Sequence, residues 1–167
     1  VVIATPSALH AAETIRALEA GAAVFCQKPL GRNAAEVAAA VKAARRADRL
    51  LGVDLSYRHT AAMRAIRPLV AGGGLGRVFA VDLVFHNAYG PDKPWFYDRR
   101  QSGGGCLADL GVHLVDLALW TLGYPRVREA RGHLLAQGRP LADPAAVEDH
   151  ALGTLVLEGG TLVRLAC

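Results

Sequence analysis

The chain has 167 residues, 52% of them hydrophobic and 20% charged, with a formal net charge of +4, which suits one ordinary domain or two partial ones. No apolar run approaches the ~18–20 residues of a membrane span, no charged leader precedes an apolar segment, and Cys26, Cys106 and Cys167 lack the spacing of a disulfide framework or zinc site, which fits a reducing cytosol. The arginines are scattered without interleaved aromatics, which argues against a nucleic-acid surface. Their densest cluster, Arg45, Arg46 and Arg49, sits at a predicted helix end, where cations suit the dipole.

Val1 to Thr5 is short, apolar and β-branched, and reads as a buried strand. Ser7 to Ala20 reads as a helix with Leu9, Ala12, Ile15 and Leu18 on its inner stripe and an exit at Gly21. Within it His10 reads as a packed residue, and Thr5 or Ser7 as a cap. Ala22 to Cys26 is a second apolar run. Asn33 caps the next helix with Glu36 as capping-box partner, and Val37 and Val41 face inward. Leu50 to Asp54 is a third run. Strand, helix, strand, helix, strand with short joints implies a parallel sheet, and ligands collect at the carboxyl ends of such strands. Those ends carry Thr5-Pro6, Gln27-Lys28-Pro29 and Tyr57-Arg58-His59.

Beyond residue 56 the pattern changes. Thr60 to Val70 reads as a helix that Pro68 should end or kink. Arg77 to Tyr89 reads as a long strand, and Gly90 to Gly105 as an ordered loop over a site. Arg126 to Gln137 is a further strand, Gly138 to Pro144 a loop, and Val147 to Leu157 with Thr161 to Ala166 a hairpin about Glu158-Gly159-Gly160. Glu148, Asp149 and His150 open that strand and read as structural. The expected fold is α/β: the C-terminal half of a Rossmann-type parallel sheet in residues 1–56, then an α+β unit with a largely antiparallel open sheet in residues 57–167. A first strand without a preceding partner and a last strand without a cap lead us to expect a segment of a longer protein.

The most informative stretch is Gly103 to Gly123, a predicted helix with a glycine-rich entry and a glycine exit. Asp109, His113 and Asp116 are four and three residues apart and share one face, beside an apolar stripe of Leu107, Leu110, Leu114, Leu117 and Trp120/Thr121. Ionisable groups beside an apolar stripe are costly to bury without compensation, and a ligand cleft is one compensation; simple pairing of buried polar groups is the other. Cys106, Asp109 and His113 are ligand types for a metal, but no fourth ligand accompanies them and no metal is expected.

These residues resemble the Gfo/Idh/MocA oxidoreductases (glucose-fructose oxidoreductase, inositol dehydrogenase, rhizopine catabolism). Val1 to His10 is similar to that family's strand ending in Thr-Pro with a histidine in the next helix, and Phe25 to Leu30 resembles its Glu-Lys-Pro segment. Tyr57-Arg58-His59 falls at its turn into the second domain, and Leu75-Gly76-Arg77-Val78 resembles its Leu-Gly entry to a long strand. Gly103 to Asp116 resembles its GGGxxxDxGxHxxD helix, and Val147-Glu148-Asp149 before a Gly-Gly hairpin fits as well. The resemblance covers essentially the whole chain in order. It implies an NAD(P)-dependent oxidoreductase, with the phosphate loop upstream and the rest of an oligomer-forming sheet downstream of these 167 residues, which alone would be inactive. One departure is Gln27, where the family usually has glutamate; it takes a negative neighbour away from Lys28.

Hydride exchange with a secondary alcohol needs a proton acceptor, a cation near the developing oxyanion, and positioning. His113 fits the acceptor, Lys28 the cation, and Asp109 a group that binds a substrate hydroxyl or orients the imidazole; the resemblance implies the same three roles. Thr5, Pro6, Gln27, Lys28 and Pro29 are expected to line the cofactor cleft, with a cis Lys28–Pro29 bond as a way of aiming the lysine. Tyr57, Arg58, Trp95, Asp109 and His113 are expected to meet the substrate, with Tyr97 and Asp98 shaping the pocket and Asp116 behind it. The expected cofactor is NAD or NADP and the expected ligand a small sugar or polyol, in a cytoplasmic homo-oligomer with no nucleic-acid or membrane partner. The alternatives are a non-catalytic sugar- or dinucleotide-responsive regulator on the same fold, and an NAD-assisted glycosidase.

Overall fold

The computed structural model describes residues 1–167. Its first layer is a parallel sheet in the order β1 (Val2–Ile3), β2 (Val24–Gln27), β3 (Leu51–Asp54). Helices α1 (Ser7–Glu19) and α2 (Ala34–Ala47) connect these strands. Register places Val2 beside Phe25 and Gln27 beside Asp54. Ile3, Leu18, Val24, Cys26, Leu30 and the alanines 40, 43 and 44 form the core between sheet and helices. The small residues on α2 allow close approach, so the helix buries alanine while Val37 and Val41 pack at its margin.

The second layer is a five-stranded sheet ordered β4-β8-β7-β5-β6. Its strands are β4 (Ala80–Val84), β5 (Val127–Ala136), β6 (Arg139–Pro140), β7 (His150–Leu157) and β8 (Leu162–Ala166). Only β4 and β8 run parallel; the other neighbours are antiparallel. Alternation is legible in β8, where Val163 and Leu165 are buried and Leu162 and Arg164 exposed. The buried face carries a helical segment made of a π-helical turn, Leu107–Gly111, and α5 (Val112–Thr121). Leu114 and Ala118 join Ala151, Leu155, Leu157, Val163, Leu165 and Cys167 beneath it. The chain also forms a 3-10 turn at Ser56–His59, α3 (Ala61–Ala71), another 3-10 turn at Pro94–Tyr97, and α4 (Arg99–Ser102). No helix is long and apolar enough to cross a membrane.

Several expectations need correction. Pro68 does not end its helix, which runs on to Ala71; α3 buries no residue, so the carbonyl left without a donor can meet water. The strand expected over Arg77–Tyr89 is confined to Ala80–Val84, the length over which β8 offers a partner. The loop expected from Gly138 contains β6, and the strand expected from Val147 begins at His150. On α1 the buried side is Ser7, His10, Ala11, Thr14 and Leu18, while Leu9 is exposed. Thr5 and Ser7 do not cap α1: Pro6 holds that position, and the Thr5 hydroxyl donates to Glu13 at 2.8 Å. Asn33 does cap α2, accepting from the Glu36 amide at 3.0 Å, but the Glu36 carboxylate reaches the Arg32 amide instead of closing the box on Asn33.

The Gly103–Gly123 helix is not uniformly α-helical. The amide of Val112 bonds back to the Leu107 carbonyl, five residues away, which widens the turn and shifts the phase of α5 after it. The inner stripe therefore runs through Leu107, Leu110, Leu114, Val115, Ala118 and Leu119, leaving Leu117 and Trp120 out of it. Trp120 instead receives the Arg67 guanidinium over its ring, 4.6 Å from the centroid. The entry is held by Glu148, only 4% exposed. Its carboxylate accepts from the Leu107 amide and its carbonyl from the Cys106 amide, both at 3.0 Å. Glycine is required at 105 because a Cβ there would lie 1.8 Å from the Glu148 carbonyl oxygen. Gly105→Ala should therefore lower stability by ~1–3 kcal/mol or more, the usual cost of overpacking. Thermal denaturation of the full-length protein checks this, with Gly104→Ala as the milder control.

Candidate active site

Lys28 leaves the carboxyl end of β2 through a cis peptide to Pro29. Its Nζ donates to the Asp109 carbonyl at 2.8 Å and also contacts the Asp109 carboxylate. That pair joins the edge of the parallel sheet to the π-helical turn of the second layer. Both side chains retain some solvent access, at 19% and 25%.

His113 lies one turn further along and is 6% exposed. The Tyr57 ring meets it edge to face, 4.5 Å between centroids, and its Nδ1 is buried without a hydrogen-bond partner. Burial, then the positive charge of Lys28, hold its pKa below the ordinary histidine value, against the carboxylates of Asp109, Asp116 and Asp54. The ring is therefore a neutral imidazole at neutral pH, in the protonation state of a proton acceptor. The expectation that Asp109, His113 and Asp116 gather in one place holds, although a π turn and not a regular α-helix presents them.

Asp116 is held by Arg58, whose Nε donates at 2.7 Å while a second guanidinium nitrogen meets the other oxygen. The Arg58 guanidinium is thus committed to the Asp116 carboxylate, 11% exposed, and lies 5.8 Å from the Tyr124 ring centroid. Its contribution is to fix the turn that puts Tyr57 against His113. Gln27 donates from Nε2 to the Asp54 carboxylate at 2.7 Å, across the β2–β3 register. The carboxylate absent from position 27 is in effect carried by the next strand, close enough to be felt by His113.

Trp95 stacks on Phe96 with centroids 3.8 Å apart, and with Ser7, Lys28, Pro29 and Asp109 it lines a narrow cleft at the strand ends. Thr5 lies beyond that lining, with its side chain on Glu13. Asp98 caps α4 and bonds Arg100 and Gln101, so it shapes the loop more than a pocket. On the other side of Asp109 opens a cavity of about 910 Å³, whose walls include His86, Asn87, Tyr97, Gln137 and His150. Of these, the sequence marks Tyr97 as shaping a pocket and His150 only as structural. His86 and His150, 5.5 Å apart by ring centroid, come together because β4 ends where β7 begins, and no local pattern announces that. Cys106 turns inward, its thiol donating to the Cys167 carbonyl at 3.5 Å.

The opposing charges on His113 make a paired expectation. Lys28→Met should raise the His113 pKa by removing a cation, and Asp109→Asn should lower it by removing an anion; histidine NMR titration of the full-length variants reads both directions.

Residues 1–55 match the oxidoreductase family with NAD-binding Rossmann fold, and residues 63–167 match the GFO/IDH/MocA C-terminal domain. The chain is 33% identical over 167 residues to 1,5-anhydro-D-fructose reductase of Ensifer adhaerens, covering 98% of this chain and 48% of that protein. It is 29% identical to D-glucoside 3-dehydrogenase of Escherichia coli (strain K12), covering 98% and 50% respectively. Among solved structures, GenD2 from gentamicin A biosynthesis in complex with NAD superposes with a TM-score of 0.90 at 28% identity, covering 99% of this chain and 46% of that one. Levoglucosan dehydrogenase in complex with NADH and levoglucosan superposes with a TM-score of 0.85 at 27% identity and the same coverage. The chain spans about half the length of the relatives it matches. With both halves of its sequence matched in order and its fold shared throughout, the chain belongs to the Gfo/Idh/MocA family of oxidoreductases.

Proposed function

We propose that the protein containing this chain is an NAD(P)-dependent oxidoreductase that interconverts a secondary hydroxyl and a keto group on a sugar, inositol or related polyol. The observation that carries this reading is a buried, neutral His113 beside the Lys28–Asp109 pair at the carboxyl edge of a parallel sheet. The relatives include a sugar reductase and a glucoside dehydrogenase, and the NADH-bound levoglucosan dehydrogenase shares the fold.

The donor set suits a nicotinamide nucleotide. Lys28 offers a cation, Gln27 and Pro29 flank it at the strand end with Thr5-Pro6 just beyond the neighbouring strand, and the buried Nδ1 of His113 lacks any protein partner. When bound, that cofactor accepts or supplies the hydride. In the oxidation direction His113 takes the proton of the substrate hydroxyl, which its neutral state permits. Lys28 stabilises the negative charge that develops on that oxygen. Asp109 holds Lys28 in place and offers its remaining oxygen to a substrate hydroxyl. Tyr57 and Trp95 bracket the sugar, and Tyr57 also keeps the imidazole from turning. In this reading residues 1–56 belong to the dinucleotide unit and 57–167 to the substrate unit of a cytoplasmic homo-oligomer, whose ligands are the dinucleotide and a small sugar.

In the full-length protein, NADH or NADPH should bind saturably by nicotinamide fluorescence. His113→Ala should cut turnover on a responsive polyol by ~100-fold or more while leaving cofactor binding intact. Because burial lowers the His113 pKa, oxidation should persist below the ordinary histidine value of ~6.5 and fail only as pH falls through the lowered value. Near-normal turnover of His113→Ala would remove that residue from the mechanism, and failure to bind either cofactor would overturn the oxidoreductase reading.

A further inference from the structure

A deeply buried ionisable group that this mechanism leaves unused is His10 on α1, 2% exposed. Its Nδ1 lies 2.7 Å from the Pro29 carbonyl oxygen and its Nε2 lies 2.7 Å from the Thr5 carbonyl oxygen. A carbonyl oxygen only accepts, so each contact requires an N–H on the ring. A neutral imidazole carries one N–H and would set a lone pair against the other carbonyl at that distance. The imidazolium carries two and satisfies both, through charge-assisted bonds roughly twice as strong as neutral ones.

The surroundings agree with that assignment. Burial opposes the charge, but the Cys26 side chain and the Pro29 and Thr5 carbonyls outweigh it and push the pKa up to about 9. Cys26 is the titratable neighbour supplied by β2. On its own helix, Glu13 is bonded to the Thr5 hydroxyl, and Lys28 in the adjoining turn is bonded to Asp109. No carboxylate forms an ion pair with His10, so its charge is stabilised by the Cys26 side chain and by the Pro29 and Thr5 backbone dipoles, and is lodged under the site.

The two carbonyls come from two different strand ends. Thr5 lies just beyond β1, and Pro29 directly follows Lys28. We propose that His10, as a buried imidazolium, is a positioning residue that clamps the Lys28–Pro29 turn to the end of β1 and so sets where the Lys28 ammonium stands. The clamp deepens the reading of Lys28 as a functional cation and rests on it. His10 itself lies beneath the turn and acts through Lys28. A histidine that only filled space would be neutral and replaceable by a side chain of similar volume.

The first test needs no variant: nitrogen-15 NMR of the histidine rings in the full-length protein, through a pH titration. Both His10 nitrogens should be protonated at neutral pH, and the proton should leave near the value of about 9. The second test is His10→Gln, which keeps a donor but loses the charge and the two-sided reach. It should move the Lys28 side-chain resonance and cut kcat by ~10-fold or more, as small misplacements of reacting groups do, with a smaller effect on the KM for the sugar. A His10 ring carrying one proton at neutral pH would overturn the clamp, as would a folded His10→Gln protein with an unmoved Lys28 resonance or unchanged kcat. The ring titration is independent of turnover, so failure of the oxidoreductase reading shows in the His113→Ala assay and leaves this measurement standing.

Discussion

A lysine leaving a parallel strand meets both the carbonyl and the carboxylate of an aspartate 81 residues further along the chain, and much of the rest is arranged around that contact. Few other bonds cross between the two layers; Arg32 reaching the Arg100 carbonyl is one. A partly exposed ion pair contributes little by Coulomb attraction alone. Its value here is geometric: a main-chain carbonyl and a carboxylate together leave the ammonium little freedom. The same two charges then act on the buried imidazole of His113 with opposite sign. One contact therefore fixes how the layers meet and helps set the proton affinity of the group proposed to carry out the chemistry.

The helix side of that contact is shaped by steric necessity. Gly105 admits the Glu148 carbonyl, and the Glu148 carboxylate closes the open end of the segment by accepting from Leu107. Gly111 allows the Leu107 side chain to lie where a Cβ would come within 2.6 Å. With five residues in the turn instead of about four, Asp109 points to Lys28 while His113 stays buried against Tyr57. The carboxylates around the imidazole are each restrained by a basic or amide partner: Asp109 by Lys28, Asp116 by Arg58, Asp54 by Gln27. Negative charge surrounds the ring without bonding to it, and burial decides the outcome.

The strand side shows how a departure from a family pattern can be absorbed. A glutamine at position 27 has an amide where a carboxylate is usual, yet its strand partner Asp54 stands directly beside it in register. The pair keeps one acceptor charge and one hydrogen bond at the edge of the sheet. Behind it, His10 ties two strand ends together through main-chain carbonyls, so the turn that carries Lys28 is anchored from below as well as by Asp109 from across the cleft.

Local pattern alone determined the parallel first sheet, the hairpin of the second, and the placing of Asp109 and His113 on one helical segment, because runs of β-branched residues, glycine exits and short motifs are properties of neighbouring residues. That Lys28 joins them was implied by the family resemblance and by the needs of hydride exchange, not by local pattern. Local pattern placed Ile15 and Leu18 of α1 inward correctly but Leu9 and Ala12 wrongly, since the first turns of that helix bury Ser7, His10 and Thr14, of which His10 is held by hydrogen bonds to carbonyls that hydrophobic periodicity does not register. It missed the π turn, against which Glu148 and Cys167 pack from just before β7 and just after β8. It did not foresee that Arg58 meets Asp116, which the fold delivers to it from 58 residues away. Residue types and spacings state which chemistry is available; which donor meets which acceptor, and which ring is left neutral or charged, depends on desolvation and partners that only the tertiary structure supplies.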